Sequence, residues 1–307
     1  MTTICKIVFL LSALIFTGCG QSYERTRREN EQAQKQKQKD DSLALKIGVM
    51  PTLDCLPLYI AQEKGLFKKE NADIRLKQFT AQINCDEALY NVKIEGCITD
   101  LVRAQRMKIK GKDLNYIAAT NTYWQLISNK KARIRKIAQL HDKMIAIARF
   151  SAPALLADYA TDSVNLKSYD VFKIQINDLY IRLQMLLNNE MDAMMLPEPQ
   201  ASVARTHGNK VLFDSREKDI KLGVIAFNKE TMKGKLRKKQ LSAFINGYNA
   251  ACDSLNKNGI THYADILKKY YKIGDKDIKA LPKMRFSHAG KPRQKDIETA
   301  LKWLKKQ

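Results

Sequence analysis

Three regimes of hydrophobic patterning divide the chain. An apolar run from Ile7 to Phe16, broken only by Ser12, follows Lys6. From Gly20 to Asp41 aliphatic residues almost vanish and Gln, Lys, Arg and Glu dominate. From Leu43 onward, short β-type runs alternate with stretches of helical spacing, the pattern of α/β layers around a parallel sheet. In that third regime strands are expected at Leu45–Val49, Asp73–Phe79, Cys97–Thr99 and Leu114–Ala119, with helices at Leu58–Phe67, Asp86–Ile94 and Leu101–Ile109 between them. A second βα series begins after Tyr123, with strands at Met144–Ala148, Val171–Ile176, Met191–Leu196 and Lys210–Phe213. Helices at Ala152–Ser163, Leu179–Asn188 and Val203–Thr206 separate them, and one more strand, Leu222–Phe227, precedes an all-helical remainder. The connections near Tyr123–Asn129 and Ile220–Val224 read as crossings between two lobes, the arrangement a hinge requires.

The first regime reads as an address. A positive start, about ten apolar residues and a small residue before the cut describe a secretory signal, and the run is well short of the roughly 20 residues a spanning helix needs. Phe16-Thr17-Gly18-Cys19 resembles the bacterial lipobox, which implies a signal over residues 1–18 and a lipidated Cys19. The polar stretch over 19–42 buries nothing and suits a solvated tether.

Length then bounds the fold: 307 residues at roughly 150 per domain argue for about two domains. Six cysteines are too few for a disulfide scaffold, so a core must carry the fold. Lys and Arg outnumber Asp and Glu by 54 to 32, a net charge of +22. Nucleic acid fits that excess badly, because the bases are scattered and an export signal precedes them. A basic exterior beside anionic headgroups fits it better.

Several strings are more specific than periodicity. LKIGVMPTLDCLPLYIAQEKGLFKKE at Leu45–Glu70, CITDLVRA after Glu95-Gly96, NEMDAMMLPEPQASVA at Asn189–Ala204 and GNKVLFDS at Gly208–Ser215 stand in this order. Together they resemble the periplasmic solute-binding proteins of ABC importers, in the branch that carries sulfonates, nitrate, taurine, flavins or thiamine-precursor pyrimidines. The resemblance implies an α/β type II periplasmic binding fold, with two βα lobes, a hinge and a ligand cleft between them. Residues 43–124 would form the first part of lobe 1, 125–221 lobe 2, and 222–307 the completion of lobe 1 with the C-terminal helices. It also implies a lipid-anchored protein on the periplasmic face of a bacterial membrane, a monomer that passes a small solute to permease subunits with a separate ATPase. No cofactor, metal or nucleic acid is expected: no phosphate-loop glycine pattern occurs, and the four histidines show no ligand spacing.

Open parallel sheets bind ligands beyond the carboxyl ends of their strands. On that rule the cleft candidates are Thr52, Asp54, Leu56, Thr99, Asp100, Asn121 and Tyr123 from lobe 1, with Phe150, Ser151 and Glu198 from lobe 2. Bland alternatives stand beside them. Asp100, Ser151 and Asp178 suit helix N-caps, Asp54 suits an Asx turn, and Tyr123 and Trp124 suit hinge packing. Glu198, locked between Pro197 and Pro199, reads as a rigidly presented carboxylate. Asp54, Asp100 and Glu198 against the single cation Arg149 predict an acidic cleft, hence an amine or a nitrogen-rich heterocycle such as a pyrimidine. A sulfonate- or nitrate-type anion is the alternative ligand, and a biosynthetic enzyme on the same fold the alternative class. Cys55 and Cys85 follow neighbouring strands and are either a disulfide pair or two buried thiols.

Overall fold

The computed structural model describes residues 2–307, with side chains from Tyr23 onward. The chain divides into two units, residues 1–44 and residues 45–307. The first is a single helix, α1 (Thr2–Leu43). Where the sequence reading expected a polar tether, i,i+4 ion pairs line this helix, Arg25–Glu29 at 3.1 Å and Arg27–Glu31 at 3.0 Å. Each such pair adds only a few tenths of a kcal/mol, about 0.2–0.5, to a helix that has no apolar stripe in this stretch. The side chains of the export signal and of Cys19, and with them the lipidation, lie outside those described.

The second unit opens with β1 (Leu45–Val49), a 3₁₀ turn at Leu53–Cys55, α2 (Leu56–Glu63), α3 (Leu66–Lys69), β2 (Ile74–Gln78) and α4 (Gln82–Tyr90). β3 (Gly96–Asp100), α5 (Leu101–Ile109), β4 (Leu114–Ala119) and β5 (Trp124–Ser128) follow. Next come β6 (Lys143–Ile147), α6 (Ala152–Asp162), β7 (Val171–Gln175), α7 (Leu179–Leu187), β8 (Ala193–Pro197), α8 (Gln200–Thr206) and β9 (Lys210–Asp214). β10 (Gly223–Asn228) leads into four helices, α9 (Lys235–Asn258), α10 (Ala264–Tyr271), α11 (Asp275–Lys279) and α12 (Gln294–Leu304).

Ten strands form two five-stranded sheets, ordered β2-β1-β3-β10-β4 and β7-β6-β8-β5-β9. The sheets therefore define two lobes of mixed α/β structure. Each sheet has a parallel half, β1 beside β2 and β3 in one and β6 beside β7 and β8 in the other. One strand per sheet departs from the parallel direction: β10 runs antiparallel to β3 and β4, and β5 antiparallel to β8 and β9. These two strands are the first to follow each crossing, so the chain enters each sheet from the hinge end and runs against its neighbours. β3, β5, β8 and β10 are buried along their whole length, as strands covered on both faces should be.

The crossing is tightly fitted. A Cβ at Gly223, the first residue of β10, would lie 2.1 Å from Thr120 Oγ1 and 2.3 Å from Thr122 Cγ2. Thr120 Oγ1 in turn donates to Asp54 Oδ2 at 3.1 Å. Gly223→Ala is therefore expected to cost about 1–3 kcal/mol, the range for forced overpacking, and to displace Thr120 from Asp54. Urea unfolding measures the first effect; a loss under about 0.5 kcal/mol, the scatter of surface substitutions, would mean the threonines simply rotate away.

The C-terminal helices join both lobes. α9 lies on α2 and α3, α11 on α8, and α12 on both α5 and α6. At the end of α12, Trp303 Nε1 donates to Asp158 Oδ2 of α6 at 2.8 Å.

Candidate functional site

β1, β3, β6 and β8 end toward the gap between the sheets, and so do the first turns of α5, α6 and α7. The lobes meet across it. The Leu53 amide donates to Glu198 O at 2.9 Å, Gln200 Nε2 donates to Pro51 O at 2.8 Å, and the Leu179 amide donates to Thr80 O at 3.1 Å. The clamp is thus shut around a cavity of about 50 Å³.

From the first lobe, Met50, Thr52, Asp54, Gln82, Thr99, Asp100 and Arg103 line this cavity; from the second, Trp124, Ala148, Ser151, Leu179 and Arg182 do. Asp54 accepts from Thr52 Oγ1 at 2.6 Å and from Thr120 Oγ1 at 3.1 Å, has no ion-pair partner among the described residues, and burial raises its pKa. Asp100 caps α5 by accepting from the Arg103 amide at 3.0 Å. Arg103 reaches back to Asp86 Oδ2 at 2.7 Å and lies 3.5 Å from Asp100 Oδ2, all within a buried triad. Gln82 Nε2 and Thr99 Oγ1 complete the triad by donating to Asp86 Oδ1, at 3.1 and 3.2 Å.

Burial pushes the Asp100 carboxyl up to about 6, with Arg103 opposing. Its unfolded value is 3.8, so the folded state holds the proton more tightly and folding takes one up between about pH 4 and pH 6. Stability accordingly falls as pH rises through that window, by on the order of 1–3 kcal/mol. The solute-free protein should melt at a higher temperature at pH 5 than at pH 7. Asp100→Asn, which keeps the cap, should shrink the difference, and an unchanged difference in scanning calorimetry would refute the assignment to Asp100.

Arg182 brings a buried donor without a partner to the cleft lining. It is 3% exposed, Nη1 donates to Met195 O at 3.0 Å, and Nε has no partner. Burial, then the nearby Arg103 charge, pull its pKa down to about 10. No carboxylate lies within ion-pair distance among the described residues. Asp178, four residues earlier, is engaged in capping α7 through the Tyr180 and Ile181 amides at 2.8 and 3.0 Å.

The structure brings together five of the ten cleft candidates, Thr52, Asp54, Thr99, Asp100 and Ser151, and places the other five elsewhere. Leu56 is core at the start of α2. Asn121 and Tyr123 line a separate cavity at the hinge. Phe150 stacks beneath Arg106, 4.0 Å from the guanidinium, on the outer side of α5. Glu198 is buried but turned away from the cleft: Oε1 accepts from Tyr123 Oη and pairs with Arg205 Nη2, both at 2.8 Å, while Oε2 accepts from the Ser202 amide at 3.0 Å. Its proline frame presents it to the hinge rather than to a solute. Arg149 is exposed and absent from the lining. Ser151 caps α6 through the Ala154 amide at 3.4 Å. Cys55 and Cys85 are free buried thiols, not a disulfide.

The acidic-cleft expectation is corrected by Arg103 and Arg182, which the sequence reading missed. Two carboxylates of the lining, Asp54 and Asp100, face two guanidiniums. One guanidinium is consumed by the Asp86–Asp100 pair, leaving Asp54 in the first lobe and Arg182 in the second as the uncommitted charges. Among the described residues, no group of three or more His, Cys, Asp or Glu side chains gathers to hold a metal ion.

The NMT1/THI5 like family model matches residues 52–256, and the chain belongs to that family. Solved structures with the same architecture include the ligand-binding component of an ABC-type import system from Staphylococcus aureus, solved with zinc bound. It is 18% identical, with 86% of this chain and 92% of that chain covered and a TM-score of 0.73. The alkanesulfonate-binding protein SsuA from Xanthomonas axonopodis pv. citri, bound to MOPS, is 16% identical over 85% of this chain and 90% of that one, with a TM-score of 0.71. The periplasmic nitrate-binding protein NrtA from Synechocystis PCC 6803 is 13% identical over 82% and 74%, with a TM-score of 0.69. These likenesses establish the periplasmic binding protein fold. No curated protein matches in sequence.

Proposed function

We propose that this NMT1/THI5-like protein is an extracytoplasmic solute-binding component that closes on one small organic solute and hands it to an ABC permease, without catalysing a reaction. The lipid at Cys19 and a tether of residues 19–42 would hold it at the periplasmic face of the membrane. Arg182 is the observation that carries the reading. A buried guanidinium with an idle Nε–H, lining a gap between two lobes, costs the empty protein stability and gains a partner only when a solute arrives. Asp54, across the gap and equally without a counter-charge, asks for the opposite chemistry.

The solute that satisfies both carries an anionic or carbonyl acceptor for Arg182 and an N–H donor for Asp54. Aminopyrimidines and sulfonated or carboxylated amines share that polarity; a bare inorganic anion serves only Arg182. Thr52, Thr99, Asp100 and Ser151 complete the contact set. Contacts to both lobes favour the shut state over the open one, which is how binding drives closure.

A thermal-shift screen of aminopyrimidines, flavins, sulfonates, nitrate and amines tests the reading. A true solute stabilises by RT ln(1+[L]/Kd), about 2.7 kcal/mol at a hundredfold excess over Kd. Stabilisation by bipolar compounds alone is expected. Turnover of any hit in the absence of other proteins would replace the transport reading with the enzymatic one. Cys19→Ala should move the protein from the membrane fraction to the soluble fraction; retention at the membrane would remove the lipid anchor from the account.

A further inference from the structure

Outside the cleft, the two crossing segments enclose a second cavity of about 280 Å³. Asn121, Thr122 and Tyr123 form one wall, Ser215, Arg216 and Asp219–Lys221 another, and the loop Lys283–Arg285 the third. Its charge is lopsided: Arg216, Lys221, Lys283 and Arg285 line it against the single acid Asp219.

That acid is already committed. Arg293 Nη1 and Lys295 Nζ hold it at 2.7 and 2.5 Å and keep its carboxyl near 2, well below the usual range. Arg216 is paired with Asp214 at 2.5 Å and lies 4.0 Å over the Tyr123 ring. Lys221, Lys283 and Arg285 have no carboxylate partner among the described residues. Three uncompensated cations around one concave space form an anion site, and guanidinium and ammonium donors on several walls suit an anion with oxygens in several directions.

We propose that this hinge cavity is a second binding site, for a small polyanion of the phosphate class, and that its occupancy is coupled to the clamp. The coupling has a covalent and hydrogen-bonded route. Thr122 lines both the hinge cavity and the cleft. Ser215 lines the hinge cavity and accepts from the amide of Trp124, a cleft residue, at 3.0 Å. An anion gripped by Arg216 on one side and by Lys221, Lys283 and Arg285 on the other ties together the strands that must rotate for the lobes to part. Any effect of the anion on closure is reciprocal, because linkage is symmetric. The phosphate group has two available sources, a soluble anion or a phospholipid headgroup.

Titration calorimetry of the full chain with inorganic pyrophosphate, and co-sedimentation with phosphatidylglycerol vesicles against phosphatidylcholine vesicles, test the site and its source. The double variant Lys283→Glu/Arg285→Glu is expected to weaken pyrophosphate binding at least tenfold. The variant Lys305→Glu/Lys306→Glu, with the same change in net charge at the exposed chain end, should leave it within twofold. Saturating pyrophosphate should also slow amide exchange at residues 120–124 and 215–223. If the first variant also abolishes vesicle binding, the headgroup is the source; if it spares vesicle binding, the source is the free anion. The proposal fails if pyrophosphate does not bind, or if both double variants weaken it equally, since the effect is then net charge rather than a site. Both variants are checked for an unchanged circular-dichroism spectrum, and Lys283→Gln/Arg285→Gln replaces the first if charge reversal unfolds the chain.

Discussion

Replacing Arg182 with methionine is expected to abolish solute binding while raising the melting temperature of the empty protein. In the shut clamp this side chain is buried with one hydrogen bond, an idle Nε and a like charge nearby at Arg103. Exchange of a poorly compensated buried cation for an apolar side chain of similar length is neutral or stabilising, by about 1–4 kcal/mol. Binding responds in the opposite direction. Truncating one partner of a buried charge-assisted contact costs about 2–5 kcal/mol, which is a loss of roughly 30-fold to several thousandfold in affinity. Calorimetric melting with and without the best compound of the screen reads both effects at once. Arg182→Lys separates charge from geometry, since an ammonium keeps the charge but loses the planar fork. A methionine variant that binds normally would show that the guanidinium belongs to the fold alone.

The second large effect lies at Arg103. Among the described residues its guanidinium is the only cation shared by Asp86 and Asp100, and burial already biases Asp100 toward its neutral form. Arg103→Met strands both carboxylates, and breaking a buried pair from one side costs about 3–5 kcal/mol. The expected signature is a strongly pH-dependent loss. At pH 7 the variant should unfold at far lower urea than the parent, and at pH 5, where Asp100 is protonated, part of the gap should close. Asp86→Asn combined with Arg103→Met removes one stranded charge and should recover stability in the same way. A deficit under about 1 kcal/mol at pH 7, the worth of an exposed pair, would mean that water reaches the triad.

The two arginines also mark where sequence reasoning ran out. Strand ends and caps are legible because their signals are local: Asp54 follows a proline turn, while Asp100, Ser151 and Asp178 each precede a helical run. Asp54, Asp100 and Ser151 line the cavity between the lobes, and Asp178 caps α7 beside it. A side chain on a helix leans back toward the helix N-terminus, so a long residue three or four places past the cap reaches the same gap as the cap itself. Arg103 stands three residues after Asp100 and Arg182 four after Asp178. Adding the first helical turn to the strand-end rule would have found both. Glu198 failed for another reason. Rigid presentation was legible from its prolines, but direction depends on Arg205 a helix turn and more away and on Tyr123 from another lobe's crossing. The fold read more easily than the site. Its two βα series and its C-terminal helices carry strong periodicity, whereas β5 (WQLIS) sets Gln125 and Ser128 among apolar residues without a two-residue alternation, so neither the strand nor its antiparallel direction is legible.

The bond between Trp303 and Asp158 has a consequence for sensitivity rather than for chemistry. α12 rests on α5 of one lobe and α6 of the other, so a clamp that opens by parting those helices must surrender that contact. The apparent dissociation constant of a clamp equals its intrinsic one divided by the fraction of molecules competent to bind. On the proposed reading, edits at the far end of the last helix are therefore expected to shift the concentration at which the clamp half-fills, and to leave its choice of solute unchanged.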